Sequence, residues 1–175
     1  LTRFRLPFEE TAGIHSAVPS PDGTVWFTEA ALGRLGQLDP KTGKITEFQN
    51  TPENGRRNGT HTVRVGQDGQ IWSSGGPMIS MLDLKTKQFK HWPVGNTYGN
   101  EIGHHGEAWF TSFRNDGPIA RVSKDGQLST FNPPTKGKPQ RLYIDENSVI
   151  WFTERYGNKL GRLDPETEKF QEYNL

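Results

Sequence analysis

The chain has 175 residues, and its 21 Lys and Arg against 20 Asp and Glu leave a formal net charge of +1. This balance gives no electrostatic case for binding nucleic acid or an anionic membrane surface. Cysteine is absent, which excludes disulfides and thiolate metal sites, and no apolar run approaches the ~18 residues that span a bilayer.

The predicted elements are short β-strands separated by turns. Residues 1–7, LTRFRLP, have the pattern of an outermost strand. The next unit contains two turn sequences, Pro21-Asp22-Gly23 and Asp39-Pro40-Lys41-Thr42-Gly43. Between and around these turns, β-rich or alternating runs predict four strands, from innermost to outermost, at residues 16–20, 24–28, 35–38 and 44–48.

This unit occurs four times, each time with a tryptophan at the same place. The separations between Trp26, Trp72, Trp109 and Trp151 are 46, 37 and 42 residues. A period of roughly 40–45 residues is typical of a four-stranded propeller blade. A β-sandwich also has short strands, but it gives no reason for a repeated unit. The pattern therefore predicts an all-β propeller as a single domain, residues 1–175, with blades at 12–50, 58–94, 97–133 and 138–175.

The leading segment 1–7 is predicted to be the outer strand of a further or closing blade. Three arrangements remain open: an excerpt of a longer propeller, a closed ring of four blades, or two copies that complete one ring. Exposed strand edges favour pairing with another chain. We therefore favour an excerpt or self-association over a small closed ring.

The first hairpin predicts a pair of titratable side chains. If Pro21-Asp22-Gly23 is a three-residue loop, His15 and Glu29 lie directly opposite each other on the two inner strands. Opposed residues have Cβ atoms roughly 4.5–5.5 Å apart. The carboxylate would then orient the imidazole and raise its proton affinity. Because the first strand of a blade is innermost, the pair is expected at the mouth of the central channel.

The equivalent positions in the other units predict a ring of polar side chains at this mouth. The predicted ring consists of His15, His61, Tyr98 and Gln140, with Glu29, Gly75, Ser112 and Glu154 as their partners. Variable polar residues at an axial mouth are good candidates for ligand binding. As an alternative to a role in this ring, Glu29 and Glu154 could simply connect blades. The four tryptophans are expected to pack between blades. The pair His104-His105 is expected in a solvated turn at the opposite end.

The motifs of the first and last units resemble those of a known family. Residues 26–29, WFTE, are followed by LGQLDP at 35–40, and residues 151–154, WFTE, by LGRLDP at 160–165. This signature resembles that of the virginiamycin B lyase family over essentially the whole chain. The resemblance implies a bacterial propeller, of the cytoplasm or periplasm, that opens a cyclic depsipeptide lactone by elimination at the ester. It also implies Mg²⁺, a histidine base 14 positions before a WFTE glutamate, and a small molecule or peptide at the channel mouth.

Carried onto this sequence, the resemblance implies that His15 is the base and that Glu29 orients it or binds the metal. The sequence departs from the family at Gly13, where an acidic residue is expected, and His61 follows His15 by one unit instead of preceding it. One carboxylate and one imidazole rarely hold Mg²⁺, which prefers octahedral oxygen ligation. Three functions remain: a lyase, a binding or assembly module with a ligand site at the mouth, and a calcium-dependent lactonase, for which no ligand set is visible.

Overall fold

The computed structural model describes residues 2–6, 12–52, 55 and 57–175. Within these ranges sixteen β-strands form four antiparallel sheets of four strands each. In every sheet the strands follow chain order, so each sheet is one blade built from consecutive hairpins. The predicted all-β propeller fold with four four-stranded blades is confirmed. None of the described residues belongs to a helix long and apolar enough to cross a bilayer.

The strands are four to six residues long. Blade 1 contains β1 (Ile14–Pro19), β2 (Val25–Glu29), β3 (Arg34–Leu38) and β4 (Ile45–Gln49). Blade 2 contains β5 (Thr62–Val65), β6 (Ile71–Ser74), β7 (Met78–Asp83) and β8 (Gln88–Pro93). Blade 3 contains β9 (Thr97–Ile102), β10 (Ala108–Ser112), β11 (Ile119–Val122) and β12 (Leu128–Phe131). Blade 4 contains β13 (Pro139–Ile144), β14 (Ile150–Glu154), β15 (Lys159–Asp164) and β16 (Lys169–Asn174).

The predicted leading strand, residues 1–7, is described only from 2 to 6, since Leu1 and Pro7 lie outside the described residues. Residues 2–6 are not paired with any strand of the four blades. Phe4 lies beside the turn between β3 and β4, where a methyl group on Gly43 would be 3.7 Å from its ring. The segment therefore approaches blade 1 at its outer strands.

The inner strands of consecutive blades lie side by side, β1 with β5, β5 with β9, and β9 with β13. No comparable contact joins β13 to β1 in the described part of the chain, so the four blades form an open arc. This arrangement brings the beginnings of the inner strands towards one axis, as a propeller requires.

The repeated tryptophans pack between neighbouring blades. Trp26, Trp72 and Trp109 are at most 3% exposed. Each lies in an apolar cluster with residues of the following blade; Trp109, for example, packs with Leu142 and Ile150. Trp151 is half-buried, because no described blade follows blade 4. The tryptophans are thus part of the scaffold, as the sequence predicted.

The glycine of the LGQL and LGRL motifs also has a packing role. A methyl group on Gly36 would lie 2.1 Å from the Phe27 ring, and one on Gly161 would lie 2.2 Å from the Phe152 ring. No Cβ atom fits at such distances, so each WF phenylalanine rests directly on the backbone of the next strand. These family motifs therefore fix the blade and do not by themselves form a ligand site.

Candidate functional site

The predicted opposition of His15 and Glu29 is wrong, because β1 carries a bulge. Ala17, Val18 and Pro19 pair with Phe27, Trp26 and Val25, which is the register that the three-residue loop predicts. Beyond Ala17 the register shifts, and Ile14 lies opposite Glu29. The cause is the Thr28 hydroxyl, which accepts the Ser16 backbone N–H at 3.0 Å in place of a main-chain carbonyl.

Blades 3 and 4 contain the same bulge. The hydroxyl of Thr111 accepts the Gly99 N–H at 2.9 Å, and that of Thr153 accepts the Arg141 N–H at 3.2 Å. As a result Ser112 lies opposite Thr97 and not Tyr98, and Glu154 lies opposite Pro139 and not Gln140. Two more of the predicted pairs are therefore displaced by one residue.

Blade 2 has a regular ladder. Thr62 pairs with Ser74, and the His61 backbone N–H donates to the Ser74 carbonyl. The hairpin count therefore holds as far as Thr62 and shifts by one residue at His61, whose N–H bonds to Ser74 instead of Gly75. His61 and Gly75 are nevertheless close, since a methyl group on Gly75 would lie 2.6 Å from the His61 Cβ.

Hydroxyl groups also link each blade to the inner strand of the next. Thr28 donates to the His61 carbonyl at 3.3 Å, and Thr111 donates to the Gln140 carbonyl at 2.7 Å. In blade 2, the Ser74 hydroxyl donates to the Tyr98 carbonyl. Residues 61, 98 and 140 therefore occupy equivalent places, as the repeat predicted.

Glu29 points into blade 1 and away from His15. It is fully buried, next to Glu47, whose carboxylate lies 4.0 Å from the Arg34 guanidinium. Burial first, and then the negative charge of Glu47, raise the pKa of Glu29 to about 7, while Arg34 opposes the shift. Near pH 7 the Glu29 carboxyl group is therefore about half protonated.

Blade 4 repeats this arrangement with Glu154. Burial and the Glu172 carboxylate raise the pKa of Glu154 to about 7, while Lys159 opposes the shift. Lys159 Nζ lies 2.7 Å from Glu172, and the Thr135 hydroxyl donates to the same carboxylate at 2.6 Å. A methyl group on Gly137 would be 2.7 Å from the Glu154 Cβ, so the chain closes tightly over the glutamate. Both WFTE glutamates thus belong to buried clusters inside their blades.

These surroundings do not suit the Mg²⁺ that the family resemblance implies. The Glu29 carboxyl is enclosed and carries a raised pKa, whereas Mg²⁺ needs ionised oxygen ligands and keeps several waters. Among the described residues, no group of three His, Asp or Glu side chains could hold a metal ion. The predicted metal-binding role of Glu29 is therefore not supported by its environment.

Three of the predicted ring residues do come together at the inner-strand ends. The His15 and His61 rings are 3.5 Å apart between centroids, and the His61 and Tyr98 rings are 4.0 Å apart. The Arg141 guanidinium lies 4.9 Å from the centre of the Tyr98 ring. We call these four side chains, His15, His61, Tyr98 and Arg141, the mouth row.

Arg141 was not predicted, and Gln140 does not join the row. The bulge in β13 explains both observations, because it alters the alternation of side chains along the strand. Gln140 is half-buried, and Arg141 reaches across Tyr98 to donate from Nη1 to the Thr62 hydroxyl at 3.3 Å. The only sequence signal for the shifted side-chain alternation is the threonine of the WFT motif. Its hydroxyl accepts a backbone N–H of the inner strand at the bulge.

The centre of the mouth row is uncharged near pH 7. Burial first, and then the neighbouring His15 and Arg141, lower the pKa of His61 to about 4. His61 is therefore neutral near pH 7, with Nδ1 3.0 Å from the Thr62 hydroxyl. His15 is exposed at the start of the row, and Arg141 is exposed at its other end.

His104 and His105 lie in the turn between β9 and β10, as expected. Both are exposed, and a ring nitrogen of His104 is 2.9 Å from the Asp145 carbonyl in the corresponding turn of blade 4. This turn is at the opposite end of the inner hairpins from the mouth row. The pair therefore contributes nothing to the candidate site.

Comparison with known proteins identifies solved structures that share this fold. No family model matches the chain, and no curated protein sequence matches it. A streptogramin B lyase structure matches with a TM-score of 0.84 and 30% identity, over 98% of this chain and 57% of that one. A virginiamycin B lyase from Staphylococcus aureus matches with a TM-score of 0.82 and 24% identity, over 95% and 57%.

A gluconolactonase from Xanthomonas campestris matches with a TM-score of 0.72 and 14% identity, over 93% of this chain and 62% of that one, and shares the fold alone. The chain thus spans less than two thirds of the length of each of these three propellers. The lyase structures share its blades over nearly its whole length, and the WFTE and LGRLDP motifs pack as blade elements. The chain is a virginiamycin B lyase-like β-propeller of four blades.

Proposed function

We propose that the mouth row binds a small molecule or peptide that carries a flat group and a carbonyl or carboxylate oxygen. The observation that carries this proposal is the unbroken row of three rings ending on the Arg141 guanidinium. Uncharged rings offer flat contact surfaces, and a guanidinium offers paired N–H donors to oxygen. The row lies where axial ligands of propellers are expected.

The neutral state of His61 supports binding of an uncharged ring or amide against the centre of the row. A charged imidazolium between His15 and Arg141 would be repelled by the guanidinium. With His61 neutral, Arg141 is the one permanent charge of the row, so it sets the orientation of an oxygen-bearing ligand. The row therefore combines a neutral platform with one directional donor.

Quinupristin is a suitable probe, because an inactive virginiamycin B lyase from Staphylococcus aureus was crystallised with it. We expect calorimetric titration to show binding that is about tenfold weaker in Arg141→Gln, through loss of a charge-assisted hydrogen bond. His61→Ala should weaken binding similarly by breaking the platform. His105→Ala, in the remote turn, is the matched control. Equal affinities in all four proteins, or no binding to the unmodified protein, would contradict the proposal.

A second candidate function is carbon–oxygen elimination, favoured by the match to the streptogramin B lyase structure and by the exposed imidazole of His15. His15 would take a proton from the carbon next to the one that bears the ester oxygen. The electron pair of that C–H bond forms a C=C bond, the C–O bond breaks, and the acyl group leaves as a carboxylate. Glu29 cannot orient His15 in this step, because it points into the blade.

The mass of the product distinguishes this reaction from hydrolysis. Elimination opens quinupristin to a linear product of unchanged mass, whereas hydrolysis adds one water. We expect His15→Ala to remove any ring opening and His105→Ala to retain it, as followed by liquid chromatography and mass spectrometry. Ring opening that survives in His15→Ala would exclude His15 as the base.

A further inference from the structure

A second group of aromatic and basic side chains adjoins the mouth row on blades 3 and 4. We call Phe113, Lys138, Arg155 and Tyr156 the rim cluster. The Phe113 ring is 5.2 Å from Tyr98 of the mouth row and 6.4 Å from Tyr156. Tyr156 is 66% exposed, so its ring is open to a ligand.

Two cations lie over these rings. Lys138 Nζ is 4.6 Å from the centre of the Tyr156 ring and 5.6 Å from that of Phe113. The Arg155 guanidinium is 5.8 Å from the Tyr156 ring. Cation–π contacts of this kind hold the basic groups beside the flat faces. The cluster therefore presents positive charge and aromatic surface together.

Neither cation of the rim cluster is neutralised. Across the described residues the salt bridges involve Arg34, Arg64, Arg114 and Lys159, and not Lys138 or Arg155. The glutamate nearest in sequence, Glu154, is buried below Gly137. The whole chain has a net charge of only +1, so this local excess of positive charge is a feature of the cluster.

The backbone holds the cluster in place. Tyr156 donates its N–H to the Gly137 carbonyl, Arg155 donates to Lys138, and Phe113 donates to Asn96. Lys138 has a left-handed φ of 54°, which a lysine adopts only at an energetic cost. A glycine would avoid that cost, yet a long basic side chain is present at this position.

We propose that the rim cluster is a binding subsite for a flat ring that bears a carboxylate. The ring stacks on Tyr156, and the carboxylate is bound by Lys138 and Arg155. An uncharged sugar would use the ring but not the two cations, and a simple inorganic anion would use the cations but not the ring. The subsite uses none of the mouth-row residues, so it can be tested separately.

Benzoate is the simplest probe of this chemistry. We expect NMR titration of the ¹⁵N-labelled protein to show benzoate binding with shifts at residues 113, 138, 155 and 156. Cyclohexanecarboxylate and benzyl alcohol, which each lack one of the two features, should bind at least about fivefold more weakly. Inorganic phosphate that binds as tightly as benzoate would overturn the proposal, since the cluster would then be an unspecific anion patch.

Tyr156→Ala and Lys138→Gln are expected to weaken benzoate binding about tenfold each. Tyr143→Ala is the matched control, because Tyr143 is also 66% exposed on blade 4, and the cation–π contacts among the described residues of this blade involve Tyr156 and not Tyr143. Lys138→Gly should weaken benzoate binding, while the midpoint of unfolding of this variant stays the same or rises. This result separates lost recognition from lost folding. Unchanged benzoate affinity in Tyr156→Ala, or absence of benzoate binding, would overturn the subsite.

The proposals for the mouth row and for the rim cluster can be contradicted independently of each other. Arg141→Gln should leave benzoate binding unchanged while it weakens quinupristin binding. Loss of benzoate binding in Arg141→Gln would mean that benzoate binds at the mouth row and not at the rim cluster, and would overturn the proposal.

Discussion

Replacing Trp109 with alanine is expected to lower the free energy of unfolding by about 3 to 5 kcal/mol, whereas the same change at Trp151 should cost less than about half of that. Trp109 is 1% exposed and packs against residues of blade 4, but no described blade covers Trp151. Removal of Trp109 therefore leaves a cavity between two blades, and removal of Trp151 mainly uncovers a surface. Urea denaturation followed by far-UV circular dichroism measures both losses.

The two tryptophans form a matched pair in the other respects. Each occupies the same position of its blade, and each indole N–H donates to a carboxylate, Trp109 to Glu107 at 3.2 Å and Trp151 to Asp145 at 2.8 Å. The difference between the two variants therefore reports packing between blades. Equal losses would contradict the view that the stability of this chain resides in the interfaces between its blades.

The free energy of unfolding is expected to fall as the pH rises from about 5 to about 7. The pKa of Glu29 and of Glu154 is raised from 4.5 to about 7 in the folded protein. Between these values the unfolded chain has released protons that the folded chain retains, so increasing pH favours unfolding. Each carboxyl group contributes on the order of 3 kcal/mol to this decline, which ends above the folded pKa. His61, whose pKa is lowered from 6.5 to about 4, offsets part of the decline below about pH 6.5.

The double variant Glu29→Gln and Glu154→Gln should abolish most of this decline and be more stable than the unmodified protein at pH 8. An amide has nearly the shape of a carboxyl group, and it removes the unfavourable buried charge beside Glu47 and Glu172. Glu146→Gln, at an exposed turn, is the control and should retain the pH dependence. The same pH dependence in the double variant as in the unmodified protein would contradict the buried-carboxyl interpretation.

The fold could be predicted because it depends on features that repeat in the sequence. The tryptophan period, the turn sequences and the alternating runs each recur in every blade, and the structure has a four-stranded blade at each of them. The register near the first turn was also predictable, since a three-residue loop fixes the pairing of Val18 with Trp26. These properties need only hydrophobic pattern and turn chemistry.

The site could be predicted only in part, because it depends on one side chain competing with the backbone. The Thr28 hydroxyl displaces a main-chain carbonyl, and an apolar–polar pattern contains no trace of that exchange. This is why the hairpin count places His15 opposite Glu29 and does not predict Arg141. The buried carboxyl clusters left a weak signal: Glu29, Arg34 and Glu47 recur at the same spacing as Glu154, Lys159 and Glu172.

The bulged position of the inner strand is occupied by a different type of residue in each of blades 1, 3 and 4. In blade 3 the bulged residue is Gly99, where any side chain would meet the Gln140 carbonyl at 2.7 Å, so that position is closed to variation. In blade 1 it is Ser16, whose hydroxyl is 3.4 Å from the Val63 nitrogen of the adjoining blade. Only in blade 4 does this position hold a long side chain, Arg141. Chemical diversity at the opening is thus unevenly distributed around the axis, and new specificities would arise most readily at blade 4.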